Sequence, residues 1–304
     1  MDFVRMFRES LSAWHRHNAA GHAAAVSFFA LLSVAPILVL SFGVAGFFMN
    51  QAFVESTVFH VLQGSLGDGQ TRFIIGLLTT LRIPTHSLVT ALVGTLVLLY
   101  SATRVMGQVR NSLNEIWGIE IKPDVKIRRY FLSKTFALGL ISIFGILLAL
   151  SVLTSVIYGF LAAHIPGFTL ISPVVEIGFS LAMMTVLITL LFIVLPDTVI
   201  LWRDAVAGGL FTALLVTLGK VAFTWCIGFT NFTSAYGIAG SVIAFMLWIY
   251  VSTQLFFFGA EITRAYARTN GNPIGPKAHA RRRGDAQELT VFHRTVRKPP
   301  VRKE

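Results

Sequence analysis

Six long apolar segments occupy residues 23–260, and the basic residues outside them fall almost wholly on alternate connections. The segments are Ala23–Met49, Leu88–Met106, Phe136–Ala162, Val174–Leu195, Ala205–Ile227 and Tyr236–Ala260. Each is long enough to supply the roughly 20 apolar residues that cross a bilayer as a helix. Strands of a membrane barrel would alternate polar and apolar residues over about 10 positions, and nothing here alternates. In lipid, a helix satisfies its backbone groups within its own segment. The expected fold class is therefore all-α, a polytopic integral membrane protein with six transmembrane helices. Only 13% of residues are charged, about half the share of a soluble domain, which argues against a soluble enzyme.

The first segment is too long for a cleaved signal peptide, whose apolar core spans about 7–15 residues. Pro36 sits near its middle, as spanning helices tolerate when neighbours satisfy the freed carbonyl.

Orientation follows from the charges. Of the 25 Lys and Arg residues, all but Arg72, Arg82 and Lys220 lie in four places, with Arg104, at the inner end of the second segment, counted with the connection that follows it. These are the N-terminal stretch, the connection between the second and third segments, the short turn after the fourth, and the region after Ala260. Both termini are expected in the cytoplasm, N-in/C-in, in a bacterial inner (plasma) membrane. The net charge of +11 is mostly this asymmetry, so no nucleic-acid partner is expected. The single cysteine, Cys226, rules out an intrachain disulfide or a cysteine-based metal site. The eight histidines are scattered and form no metal-binding motif. Neither a metal nor a cofactor is expected.

The chain divides into three expected regions. Residues 1–22 are a cytoplasmic amphipathic segment, because Phe3, Phe7, Leu11 and Trp14 recur at helical spacing. That helix lies on the inner leaflet or packs on the protein's own cytoplasmic loop. Residues 23–267 form the transmembrane domain. Within it, residues 50–87 are expected to be an external helical hairpin around the turn-rich Gly64-Ser65-Leu66-Gly67-Asp68-Gly69. Residues 268–304 read as a disordered basic tail, where Gly, Pro, Arg and Lys replace the apolar residues. Arg281-Arg282-Arg283 and Arg297-Lys298 would attract anionic lipid headgroups; retention of topology is the plainer explanation.

Ionisable residues at membrane depth are candidate functional groups. Lys220 lies in the fifth segment, roughly 10 Å from its outer end at 1.5 Å per residue. Glu176 lies near the outer end of the fourth, at a depth that agrees within about 6 Å. Lys220 pairs with Glu176, meets an anionic substrate group, or snorkels to the outer headgroups. Small residues gather at the outer ends of the last two segments. Gly237 and Gly240 share nearly one face and permit close helix approach. Tyr236 and its aromatic neighbours form either a lipid-facing belt or the lining of a vestibule. Glu261 is expected to make a surface ion pair with Arg264. Asp197, Arg203 and Asp204 share the fourth-to-fifth turn, with Asp204 placed to cap the fifth helix; a structural role outweighs a catalytic one.

The motifs occur in an order that resembles the YihY/BrkB membrane-protein family. The likeness runs through Ala23–Leu40, Ser101–Gly118 with its Leu113-Asn114 before Ile116-Trp117, and then Leu195-Pro196, Trp202-Arg203, Gly208-Gly209 and Lys220. It continues through Phe223, Tyr236-Gly237, Trp248-Ile249-Tyr250 and Gly259-Ala260-Glu261. It covers about residues 10–267 and departs from the family pattern at Trp225-Cys226 and at Asp197, where Asn is commoner. The resemblance implies structural roles for Pro36, Asn114, Trp248 and Glu261. Its old label, ribonuclease BN, does not fit this chain. A metal-dependent nuclease needs clustered His and Asp ligands, and none is visible, so no enzyme is expected. The resemblance implies roles in serum resistance, envelope lipid handling or transport.

The leading functional expectation is transport or flipping of a lipid or amphipathic anion in the cell envelope. Lys220 would meet the charge, Glu176 would pair with it, and Tyr236, Gly237 and Gly240 would shape the opening. The rival is a non-transporting scaffold for envelope or virulence-related complexes. Membrane lipids are the expected partners; a homo-oligomer and envelope protein partners are left open.

Overall fold

A computed structural model describes residues 3–48, 88–122, 168–229 and 232–283. The expected hairpin at 50–87, the expected span Phe136–Ala162 and the chain beyond 283 lie outside the described residues. The elements in order are α1 (Phe3–Arg16), α2 (Ala19–Phe48), α3 (Leu88–Ile116), β1 (Ile119–Ile121) and α4 (Phe168–Val194). Then follow β2 (Thr198–Val199), α5 (Trp202–Phe229), α6 (Phe232–Thr269), β3 (Gly275–Pro276) and β4 (Ala280–Arg282). Among the described residues three helical stretches are long and apolar enough to cross a membrane: Ile177–Val194, Trp202–Ile227 and Val242–Thr269. They match the fourth, fifth and sixth expected segments. The described residues are mainly helical but not purely so, because among them four short strands form two antiparallel pairs.

Two compact units emerge, one of Met1–His17, Arg110–Ala213 and Phe258–Glu304, the other of Asn18–Val109 and Leu214–Phe257. In the first, the end of α3, the end of α4, the start of α5 and the end of α6 surround a core of Leu113, Ile116, Trp117, Phe192 and Ala205. The Trp117 and Phe192 rings meet edge to face, with centroids 5.8 Å apart. α1 joins this unit through Phe7, whose ring stands edge-on to Phe258 at 5.3 Å. Val4, Phe7 and Leu11 nevertheless keep an exposed apolar stripe. α1 therefore packs on the last helix as well as keeping the amphipathic face that the sequence shows.

α5 is patterned inside out. Val206, Leu210, Leu214, Leu218, Val221 and Trp225 are exposed at spacings of three and four, which places them on one side of a helix. The opposite side within the first unit carries Ala205, Gly208, Gly209, Thr212 and Ala213, all buried. In water such an apolar stripe would be costly; facing hydrocarbon it costs nothing. The inward small residues allow backbones to approach. A methyl group at Gly208 would collide with the Thr263 side chain, and one at Gly259 with that of Thr212. The threonines reciprocate: Thr212 donates its hydroxyl to Gly208 O at 2.6 Å and Thr263 donates to Gly259 O at 2.7 Å. Each helix thus offers a glycine notch to the other's threonine, and neither hydroxyl is left unbonded. Gly209 admits Thr189 of α4 in the same way.

The segment after α6 is folded where the sequence suggests an unstructured tail. β4 pairs with β1 in the register Ile119↔Arg282, Glu120↔Arg281 and Ile121↔Ala280. β3 pairs with β2 through Thr198↔Pro276 and Val199↔Gly275. Backbone bonds extend both ladders, from Lys277 N–H to Asp197 O at 3.0 Å and from Arg283 N–H to Gly118 O at 2.9 Å. Gly118 (φ 69°) and Gly271 (φ 76°) occupy the left-handed region that favours glycine. They turn the chain after α3 and after α6. Composition misses this ordering because the strands are two or three residues long and their partners are distant in sequence.

In the second unit, Asn18 has φ 48°, a region asparagine visits more readily than most residues. Its side-chain oxygen accepts the Gly21 N–H at 3.3 Å, capping α2. Ala19, Ala23, Val216, Phe223 and Phe257 are buried. The Phe223 and Trp248 rings pack at 5.2 Å.

Gly208→Ala should lower the melting temperature in detergent, with an overpacking cost of about 1–3 kcal/mol. Adding Thr263→Gly should recover part of it, and a double-mutant cycle showing no coupling between the two positions would refute the interlock.

Candidate functional site

The polar centre of the first unit is Asp197, in the turn between α4 and α5. Its side chain is 2% exposed. A buried carboxylate is tolerated only when its charge and lone pairs are answered, and here three side chains answer it. Arg110 of α3 makes a fork, Nε to Oδ2 at 3.1 Å and Nη2 to Oδ1 at 2.7 Å. Asn114, one helical turn further on, donates Nδ2 to Oδ2 at 2.8 Å. Its Oδ1 accepts the Asp197 N–H, also at 2.8 Å. His279 Nε2 lies 3.0 Å from Oδ1. Lys277 adds its N–H to Asp197 O and its Nζ to Pro196 O, the latter at 2.9 Å. Burial pushes the Arg110 guanidinium below its ordinary value; the bidentate carboxylate is what holds the cation in place.

A second group lies around the end of α6. Glu261 is 2% exposed and its Oε1 meets His17 Nδ1 at 2.5 Å. The expected surface pair of Glu261 with Arg264 does not form. The helix continues to Thr269, so Glu261 is not at its end but faces inward. Arg264 instead donates Nη1 to Ile116 O at 2.5 Å, satisfying a carbonyl at the end of α3. Trp117 donates Nε1 to Ala260 O at 3.1 Å. Asp204 is likewise not the helix cap. It sits within the first turn of α5, buried, and accepts Asn270 Nδ2 at 3.2 Å. Near the surface, Arg283 donates to Glu115 at 2.9 Å, and Glu115 lifts the Arg283 guanidinium above its ordinary value. Arg281 lies 3.7 Å from Glu120.

Residues 10–283 match the family model described as virulence factor BrkB. The chain belongs to the BrkB family. The match runs past residue 267 and takes in the segment that folds back to reach Asp197. A UPF0761 membrane protein of Ralstonia nicotianae is 27% identical over 79% of this chain and 54% of its own length. Another, from Alcanivorax borkumensis, is 31% identical over 57% of this chain and 40% of its own length. One from Azoarcus is 26% identical over 86% of this chain and 62% of its own. This BrkB-family chain thus spans about half the length of the curated relatives it matches. Their names place them in membranes and state no enzymatic activity. No solved structure matches the chain.

The expected site residues of this BrkB-family chain are distributed as follows. Lys220 lies half-buried in α5, with Leu218 and Val221 exposed beside it. Glu176 lies in α4 and Tyr236 and Gly237 in α6, but their side chains are outside the described residues. Gly240 is buried in α6. Pro36 lies in α2 with its side chain undescribed, and Trp248 packs on Phe223. Asn114 and Glu261 are buried parts of the two polar groups just described. What the sequence reading missed is the convergence on Asp197. The available signal was Arg110 and Asn114 at a spacing of four, hence on one helix face, beside an acid in a short turn.

Asp197→Ala should cost about 3–5 kcal/mol, because it strands the Arg110 charge. Asp197→Asn keeps a carbonyl acceptor but not the charge, and should melt between the native chain and Asp197→Ala in tryptophan-fluorescence melts. An Asp197→Asn variant that melts like the native chain would show that the charge is immaterial.

Proposed function

We propose that this chain is a bacterial inner-membrane protein with six spanning helices and both termini inside, and that it transports or flips a lipid or amphipathic anion in the envelope. The observation that carries the proposal is Lys220. It lies half-buried within Trp202–Ile227, a stretch long and apolar enough to span. An ionisable residue is expensive at that depth and is a candidate site by default. In this reading Lys220 contacts the anionic group as it passes. Glu176 offsets the lysine when the ligand is absent, and Tyr236, Gly237 and Gly240 shape the outer opening. No chemistry is performed on the ligand.

A second reading is a non-transporting scaffold for envelope or virulence-related complexes. It is favoured by the family description as a virulence factor and by the exposed apolar stripe on α1.

The test is mass spectrometry of lipids retained by protein purified in mild detergent, comparing native chain with Lys220→Ala. The transport reading expects one anionic lipid class enriched in the native protein and reduced at least about tenfold in the variant, the effect of removing one charge-assisted contact. An unselective profile in both, with function lost instead on deleting residues 50–87 or 268–304, would support the scaffold. The orientation is checked separately by placing single cysteines in the 50–87 and 123–135 connections of a Cys226→Ser background. Only the former should react with an impermeant thiol reagent applied to the outer face of the membrane.

A further inference from the structure

The first unit contains a cavity of about 360 Å³, and the proposed function makes no use of it. Four arginines line it: Arg264 and Arg268 from the last turns of α6, and Arg282 and Arg283 from the folded-back segment. Trp117 and Ile274 add apolar wall. A guanidinium is a donor only, with five N–H groups in a fixed fork and no acceptor. A cavity ringed by four of them has a polar lining that only an acceptor-rich anion can answer. Carboxylates of the protein answer only part of this charge. Arg283 is paired with Glu115. Arg264 is bonded to the carbonyl of Ile116. Among the described residues neither Arg268 nor Arg282 has an ion-pair partner, and both are exposed to the opening.

The two halves of the wall are brought together by the β1–β4 ladder. It fixes Arg282 opposite Ile119, two residues beyond Trp117. The arginines are thus held by paired backbone, not by a loose tail. The volume falls at the small end of ligand pockets, about 300–1,000 Å³, enough for a phosphate with a short organic substituent. Forked bonds from planar guanidiniums suit phosphate oxygens. Trp117 and Ile274 would flank the carbon part.

We infer that this cavity is a binding site for a phosphomonoester, held by Arg268 and Arg282 and flanked by Arg264 and Arg283. The inference is independent of Lys220 and of transport. The phosphomonoester is carried either by a lipid headgroup or by a soluble molecule.

The test is native mass spectrometry and thermal-shift titration of the purified full chain in detergent at constant ionic strength. The probes are glycerol 3-phosphate, dioctanoyl phosphatidic acid and, as a control without a monoester, dioctanoyl phosphatidylcholine. Arg268→Gln/Arg282→Gln is compared with the native chain and with Arg281→Gln, which alters a neighbouring charge outside the cavity. Saturable binding of the phosphatidic acid, weakened at least about tenfold in the double variant and unchanged in Arg281→Gln, supports the site. If glycerol 3-phosphate behaves the same way, the ligand is soluble; if only the lipid binds, it is a headgroup. Binding equal to that of phosphatidylcholine overturns the inference, as does equal weakening by Arg281→Gln. So does a native affinity retained in a double variant that melts like the native chain.

Discussion

One buried carboxylate, Asp197, ties three segments of the first unit together. Asp197 draws Arg110 and Asn114 from α3, and Lys277 and His279 from the far end of the described chain, onto one turn between α4 and α5. Electrostatics makes this convergence obligatory. A half-buried guanidinium and a fully buried carboxylate are each unfavourable alone and tolerable together. Because every oxygen of Asp197 is bonded, the cluster specifies one arrangement of its three chain segments and penalises any slipped alternative.

Around that polar centre the usual relation of inside and outside is reversed. On α5 the large apolar residues face outward and the small ones inward, where glycine and threonine interlock with α6. Lipid tails are as apolar as leucine, so burial of leucine offers no driving force there; close backbone approach and satisfied hydroxyls supply the specificity instead. The polar groups are then concentrated where helix ends meet short strands. α6, at 38 residues, would extend about 57 Å at 1.5 Å per residue, longer than the roughly 30 Å hydrocarbon layer. It therefore has length to spare for Glu261, Arg264 and Arg268 at its end.

The helices were legible in the sequence because hydropathy reports them directly: α4, α5 and α6 lie where apolar runs predict them. The polar assembly was not. Asp197 and Arg110 are 87 residues apart, and no local pattern records such a pairing. Spacing on one helix points Glu261 to Arg264, but spacing ignores what packs against the helix, and His17 takes the carboxylate instead. Arg281, Arg282 and Arg283 read as a solvated basic run because charge density masks a three-residue strand. Asp197 did stand out as a departure from the family's commoner Asn. The physical reason that this position matters became visible only with its partners. Lys220 is conspicuous in the sequence because a cation in an apolar run needs no tertiary information to stand out.

The dependence of Asp197 on Lys277 and His279 has a consequence in time. A chain is made from its N-terminus, so α1 to α6 are all synthesised before residue 277 exists. Until then Arg110 and Asp197 share a cluster missing its last two members, and the carbonyl of Pro196 waits for the lysine. The segment of residues 274–283 therefore joins this cluster after all the described helices have been made. A product cut short just before it would hold every described helix, yet carry an unfinished polar knot that distinguishes it from the completed chain.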